Sequence, residues 1–321
     1  MSDLRLGRIG LGTAPLGNLY AEVSDDDARA TVHAAWSAGI RLFDTAPYYG
    51  HGLAERRIGA ALGECPRDEY VLSTKVGRLL RPGAPDPHSP FVAVPKEVAE
   101  FDFSSDGVRR SLDESLERLG TDRIDIALIH DPDAHLEQAI TEAAPALASL
   151  RAEGVIRAIG FGMNYVSPLR EAVERCDLDV ILVAGRYTLL DQTALDSGLL
   201  ARCADRGVAV MAGGVFNSGV LAAPSPEATY DYLPVAPERL QQAARMAGVC
   251  ARHGTPLAAA ALQLVLAQPA VTTVLIGARE ASEIAHDVEL AGCEIDDELW
   301  DDLWAEGLLS AHVPTPEDRS L

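Results

Sequence analysis

The amino-acid sequence predicts an α/β chain of the (β/α)8 TIM-barrel class, one domain over residues 1–321. Three observations predict it. Short apolar, β-branched runs recur at Arg8–Ala14, Arg41–Ala46, Tyr70–Val76, Ile124–His130, Val155–Gly162, Val180–Tyr187, Val208–Gly213 and Val271–Gly277. Each is followed by a longer stretch with helical periodicity or turn signals, and such alternation implies parallel strands, because a parallel pair needs a crossover and a helix is the usual one. The length of 321 residues lies within the range that such barrels span as one domain.

The first predicted helix follows Ser24, whose hydroxyl suits an N-cap, with Asp25, Asp26 and Asp27 in the first turn and Gly39 at its end. Ser104 or Ser105 starts a second, whose Val108, Leu112, Leu116 and Leu119 share one face and which Gly120 terminates. Leu136–Glu153, Pro168–Arg175, Pro237–His253 and Asp296–Trp304 read as further helices, and residues 311–321 as a tail. Residues 77–103 and 215–237 exceed what a minimal unit needs. Both follow strands, so both are expected at the carboxyl-end face as lids or binding loops.

With 48% hydrophobic and 23% charged residues the chain has an ordinary globular composition, and its formal charge of −21 argues against nucleic acid or an anionic membrane surface as partner. No export signal or membrane span is read, so the expected location is cytoplasmic. Cys65, Cys176, Cys203, Cys250 and Cys293 form no C-x-x-C pair, which fits reduced thiols and predicts no metal. Oligomeric state is unreadable.

Active sites of such barrels lie at the carboxyl ends of the strands. There the apolar runs end in Asp44, Lys75 and His130, three ionisable residues on three successive strands. Tyr49 follows Asp44 within a turn that can bring its ring over the mouth, with Tyr48 as its nearest competitor. An ordinary phenol, of pKa about 10, exchanges its proton poorly near neutrality. A close lysine is expected to lower that value while Asp44 keeps the lysine charged, and His130 to orient a substrate oxygen. Tyr20, Tyr48 and His51 are expected at the rim, where rings and hydrogen-bonding tips suit a sugar.

Asp44-Thr-Ala-Pro-Tyr-Tyr-Gly50, Ser73-Thr-Lys75 and Leu128-Ile-His130, in that order, resemble the aldo-keto reductase superfamily. That resemblance implies Tyr49 as proton donor or acceptor, Asp44 and Lys75 as the pair that tunes it, and His130 as the substrate-orienting residue; its spacing from the aspartate selects Tyr49 over Tyr48. Gly12–Tyr20, Ser73–Leu80, Ala184–Gln192 and Ala212–Gly219 resemble the branch that oxidises the anomeric carbon of aldoses of the L-fucose, L-galactose or D-arabinose type to lactones. Other aldehydes or alcohols, pyridoxal among them, and a nicotinamide-binding regulatory subunit are the alternatives.

Gly7-Arg-Ile-Gly-Leu-Gly12 has its glycines in the wrong order for a dinucleotide fingerprint. The resemblance instead implies a cofactor lying in the barrel mouth: Gly12, Thr13 and Asp44 near the nicotinamide, Asn164 on its carboxamide, and Tyr187 stacked on its ring. It implies Phe216, Asn217, Ser218, Gly219 and Leu221 at the pyrophosphate, and Gly277, Ala278, Arg279, Glu283 and Asp287 on the adenosine side. Glu283 stands where relatives that need a 2′-phosphate place a basic residue. A carboxylate repels that phosphate and can accept from a free ribose hydroxyl, so NAD is the preferred cofactor. Arg279 keeps NADP possible.

Overall fold

The computed structural model describes residue 4, residues 6–310 and residues 312–316. All eight predicted runs carry barrel strands: β1 (Ile9–Gly12), β2 (Leu42–Asp44), β3 (Val71–Val76), β4 (Ile126–His130), β5 (Ala158–Met163), β6 (Val180–Ala184), β7 (Ala209–Gly213) and β8 (Val271–Gly277). Each pairs in parallel with its neighbours, and β1 closes the cylinder against β8. The strands are shorter than several of the runs. Val155 precedes β5 and Tyr187 lies beyond β6.

The caps behave as the side chains dictate. Ser24 accepts from the Asp27 N–H at the start of α1 (Asp25–Ser37), and Ser104 does the same for Gly107 before the helix Ser105–Leu119. Gly120 ends that helix in the left-handed conformation. The expected single helix Leu136–Glu153 is instead interrupted: a π-turn over Ala139–Ala143 precedes the α-helix Ala144–Ala152. Pro145 has no N–H to donate and its ring crowds the carbonyl one turn back, so the coil widens there.

Both long loops contain structure. Arg78–Pro82 pairs antiparallel with Glu97–Phe101, and Thr229–Tyr230 with Leu233–Pro234. The second hairpin turns on Asp231 and Tyr232, both at positive φ (52° and 66°), the backbone of a tight hairpin turn that usually carries Asn or Gly. Part of the expected tail is packed: Val313 and Thr315 are buried, while residues 311 and 317–321 lie outside the described residues.

Leu4, Leu6, Leu42, Ile126, Leu128 and Leu275 belong to the cluster that fills the barrel interior, and a larger one joins the strands to the outer helices. The inner cluster closes the amino end of the cylinder and leaves the carboxyl end for polar side chains. There the turn after β2 is fixed by backbone against backbone. Gly50 has φ +62°, and a Cβ added to it would lie 2.3 Å from the Gly17 carbonyl oxygen. Gly50→Ala is therefore expected to lower unfolding free energy by about 1–3 kcal/mol, measured by urea denaturation, and to reduce turnover by displacing Tyr49. An unchanged midpoint would show that the approach of the two loops is not constraining.

Candidate active site

Asp44 is opposite Gly12 on one side and Ser73 on the other, and Lys75 lies two residues beyond Ser73, on the same face of β3. The register therefore brings carboxylate, hydroxyl and ammonium together inside the barrel. Lys75 Nζ donates to Asp44 Oδ2 at 2.6 Å and to the Thr45 carbonyl at 2.9 Å, and Ser73 Oγ donates to Asp44 Oδ1 at 2.7 Å. The two charged side chains are only 1% and 2% exposed. Burial alone would push the Lys75 ammonium down, but Asp44 and Tyr49 outweigh it and hold its pKa above the ordinary value.

Tyr49 sits over this pair, with Lys75 Nζ 4.7 Å from the ring centroid and a hydrogen bond between the two side chains. Its pKa does not fall as the lysine alone predicts. Burial raises it, Lys75 lowers it, Asp44 raises it again, and the sum lies above the ordinary tyrosine value. The lysine limits a desolvation penalty rather than producing a phenolate at neutral pH.

His130 is buried at the end of β4, its ring edge-on to those of Tyr49 and Tyr48 at 5.9 and 6.3 Å. Burial, then Arg78 and Lys75, push its pKa well below the ordinary value, so the imidazole is neutral at physiological pH. Its Nδ1 is buried without a hydrogen-bond partner. Tyr48 lies between His51, on which it stacks, and Phe91, whose ring also approaches Tyr49 at 6.1 Å. The loop after Lys75 thus covers the tyrosine pair, as its length suggests.

A cleft of about 480 Å³ runs from Tyr49 across the carboxyl ends of β6, β7 and β8 to the start of the helix Ala281–Gly292. Of the residues singled out in the sequence, Gly12, Tyr20, Asp44, Tyr49, Asn164, Phe216, Asn217, Ser218, Gly219, Gly277, Arg279, Glu283 and Asp287 border it. Tyr20 donates to Ser218 Oγ at 3.4 Å, a strap from the loop after β1 to the loop after β7. Arg279 and Glu283 are paired: the Glu283 carboxylate accepts from the Arg279 N–H at 2.7 Å and from its guanidinium at 3.0 Å. Burial pushes the neighbouring Asp287 carboxyl up to about 6.

Other predicted residues lie elsewhere. Tyr187 is 1% exposed, and its hydroxyl accepts from Gln268 at 3.3 Å, so the structure does not bring its ring to the cleft. His51 is buried, with Nδ1 against the Glu97 carbonyl oxygen, an anchor for the first hairpin rather than a rim contact. Thr13 is buried, and its N–H and Oγ1 both donate to the Asp44 carbonyl at 2.9 and 3.0 Å, which fixes the backbone of the charged residue. Leu221 and Ala278 are packed in the core.

Sequence reasoning missed the tip of the second hairpin. Asp231 and Tyr232 border the cleft, and Tyr232, half-exposed, shares a hydrogen bond with the Asn164 side chain; burial of its hydroxyl end raises its pKa. Arg186 holds the tip by donating to Asp231 at 2.7 Å and to the Asn164 carbonyl at 2.7 Å. Only the length of the loop signalled this in the sequence, since its tip residues carry no motif.

The cleft suits an extended dinucleotide. Gly185, Gly213, Gly214, Gly219 and Gly277 present bare backbone along it, and Asn217 and Ser218 are successive residues at φ 46° and 57°, in a tight turn whose Asn217 and Gly219 N–H groups donate to the Gly214 and Phe216 carbonyls. Asn217 Oδ1 is buried and unpartnered while its amide nitrogen donates to the Gly185 carbonyl, so the site holds an acceptor ready for a ligand donor. Among the described residues no His, Cys, Asp or Glu cluster is arranged to hold a metal.

A family model for the aldo/keto reductase family matches residues 8–305. The chain belongs to this family. It is 45% identical to a D-threo-aldose 1-dehydrogenase from a Pseudomonas species over 98% of this chain and 97% of that one. A pyridoxal 4-dehydrogenase from Microbacterium luteolum is 42% identical over 96% of each chain. Among solved structures, the holo form of an aldo-keto reductase from Bacillus halodurans aligns with a TM-score of 0.78 and 25% identity, covering 99% of this chain and 97% of that one. An eight-stranded barrel and oxidoreductase chemistry are thus common ground, and the family draws on a nicotinamide cofactor.

Proposed function

We propose that this protein is an NAD-preferring aldose 1-dehydrogenase that oxidises the anomeric carbon of a cyclic aldose of the L-fucose, L-galactose or D-arabinose type to its lactone, in the cytoplasm. The observation that carries this reading is the buried Asp44–Lys75 pair beneath Tyr49 at one end of a dinucleotide-sized cleft, in a chain 45% identical to a D-threo-aldose 1-dehydrogenase over nearly its whole length.

Gly12 and Asn164 would border the nicotinamide, Phe216, Asn217, Ser218 and Gly219 the pyrophosphate, and Gly277, Arg279, Glu283 and Asp287 the adenosine side. When bound, the nicotinamide supplies the hydride acceptor. Tyr49, as its phenolate, takes the proton of the anomeric hydroxyl as the carbon is oxidised and becomes the neutral phenol, with Lys75 stabilising the phenolate beforehand and Asp44 holding Lys75 charged. Neutral His130 orients the substrate oxygen by hydrogen bonding, and Phe91, Tyr48 and Tyr20 wall the sugar from bulk water. Oxidation uses the deprotonated phenol. Since the Tyr49 pKa lies above the ordinary value, that form grows as pH rises.

The test is NADH formation on a panel of L-fucose, L-galactose, D-arabinose, other aldoses and pyridoxal. The first three are expected to turn over selectively, with kcat/KM climbing through neutrality into the alkaline range. Tyr49→Phe is expected to lose at least about a hundredfold in kcat while still binding NAD. Turnover of pyridoxal alone would overturn the substrate assignment, and a fully active Tyr49→Phe the proton assignment.

For the cofactor, Glu283 holds Arg279 by both backbone and side chain, so the guanidinium at this end of the cleft, which His286 also borders, is neutralised where a 2′-phosphate would need it. Glu283→Arg is expected to raise the NADP/NAD ratio of kcat/KM by roughly tenfold or more, about 1.4 kcal/mol. An unchanged ratio would remove Glu283 as the discriminating residue.

A further inference from the structure

We propose that Arg78 and Asp131 form a positioning pair that sets the orientation and protonation state of His130. Arg78 opens the first hairpin, just past the end of β3, and Asp131 immediately follows His130. Their side chains meet at 2.7 Å, and the same Asp131 oxygen lies 3.5 Å from His130 Nε2. All three are enclosed, at 11%, 22% and 7% side-chain exposure. The guanidinium lies over the Tyr48 ring at 4.3 Å and the Phe101 ring at 4.9 Å, contacts that favour this placement. Asp131 takes a left-handed backbone conformation (φ 41°), pinned by its N–H on the Gly162 carbonyl at 3.0 Å. A residue other than glycine held so beside a site is an arrangement that the surroundings enforce.

The electrostatics follow from this placement. The groups facing His130 are Lys75 from β3, Tyr48 and Tyr49 from the turn after β2, and Arg78 from the hairpin. Asp131 and Asp133 lie on its own loop, with Asp44 behind Lys75 and His51 behind Tyr48. The nearest carboxylate, Asp131, would ordinarily draw a proton onto the imidazole. Arg78 engages that carboxylate, as does the Asn164 backbone N–H, and adds its own positive charge. Burial, Arg78 and Lys75 then act together against the imidazolium. With the ring neutral, His130 retains one nitrogen that accepts and one that donates, and its Nδ1 is buried without a hydrogen-bond partner.

The test is a titration of the histidine side chains by NMR in the full-length protein, with His130 assigned from the His130→Gln spectrum. In the parent, His130 is expected to remain neutral well below the ordinary value of about 6.5. In Arg78→Met the freed Asp131 carboxylate is expected to raise its pKa to that value or above, and kcat/KM for aldose oxidation to acquire an acid limb at the same pH. Arg78→Lys keeps the charge and is expected to retain the parent titration. The uncharged double variant Arg78→Met/Asp131→Asn is expected to titrate at least about one pH unit below Arg78→Met; Arg78→Gln frees the same carboxylate and takes the place of Arg78→Met in this comparison if that variant folds poorly. Unchanged titration of His130 in Arg78→Met, or a loss of activity uniform across pH with no change in titration, would overturn the proposal. Only the kinetic arm rests on the aldose reading, since the imidazole titration needs no substrate.

Discussion

The rest of the site depends on one buried ion pair. Withdrawing an ammonium and a carboxylate from water costs several kcal/mol each, and apolar replacements of such pairs are often neutral or stabilising. Stability therefore does not account for Lys75 and Asp44 inside this barrel. Their contact at 2.6 Å, the Ser73 hydroxyl and the Thr45 carbonyl satisfy the charges, and what the arrangement achieves is a fixed cation beneath the Tyr49 ring. A buried phenol is driven toward its neutral form; the lysine opposes that drive without abolishing it. The residue is left as an acid at rest whose conjugate base is still supported.

Holding that pair requires the barrel. Register between β2 and β3 sets Asp44 opposite Ser73, Thr13 ties down the Asp44 backbone, and contact between Gly17 and Gly50 holds the turn that carries Tyr49. The apolar cluster with Leu4 and Leu6 occupies the interior toward the amino end. Over the opposite end lie two hairpins of different character. The first, bearing Arg78, packs against Tyr48 and His130; the second, bearing Tyr232 and clasped by Arg186, reaches Asn164 over the cleft.

The fold and the grouping of Asp44, Tyr49, Lys75 and His130 at one end of it were both legible in the sequence, for a common reason: strands are short, regular and apolar, so a polar residue ending one stands out. Asp44, Lys75 and His130 were found that way, and Tyr49 by the interval from Asp44 that the family resemblance implies. Residues in the long loops were not legible, because their positions follow from hairpin pairing and not from any period. Arg78, Asp131, Asp231 and Tyr232 belong to this group. His51 has a polar ring in a promising loop, but a backbone carbonyl takes it up; Tyr187 lies just past β6, but its ring is buried in the cluster between strands and helices, with its hydroxyl on Gln268. The sequence also suggested a lowered phenol pKa, because a lysine at the right spacing is visible in it and the degree of burial is not.

The central claim is that the Lys75 charge governs the proton affinity of Tyr49 during turnover. The pH dependence of kcat/KM for the proposed aldose oxidation in Lys75→Met/Asp44→Asn, a double variant that leaves no buried charge unpaired, tests it most directly. Loss of the cation outweighs loss of the more weakly acting carboxylate, so the alkaline limb is predicted to move to higher pH, with slower turnover at neutrality and NAD binding retained. A limb at the parent pH with a parent-like rate would contradict the account.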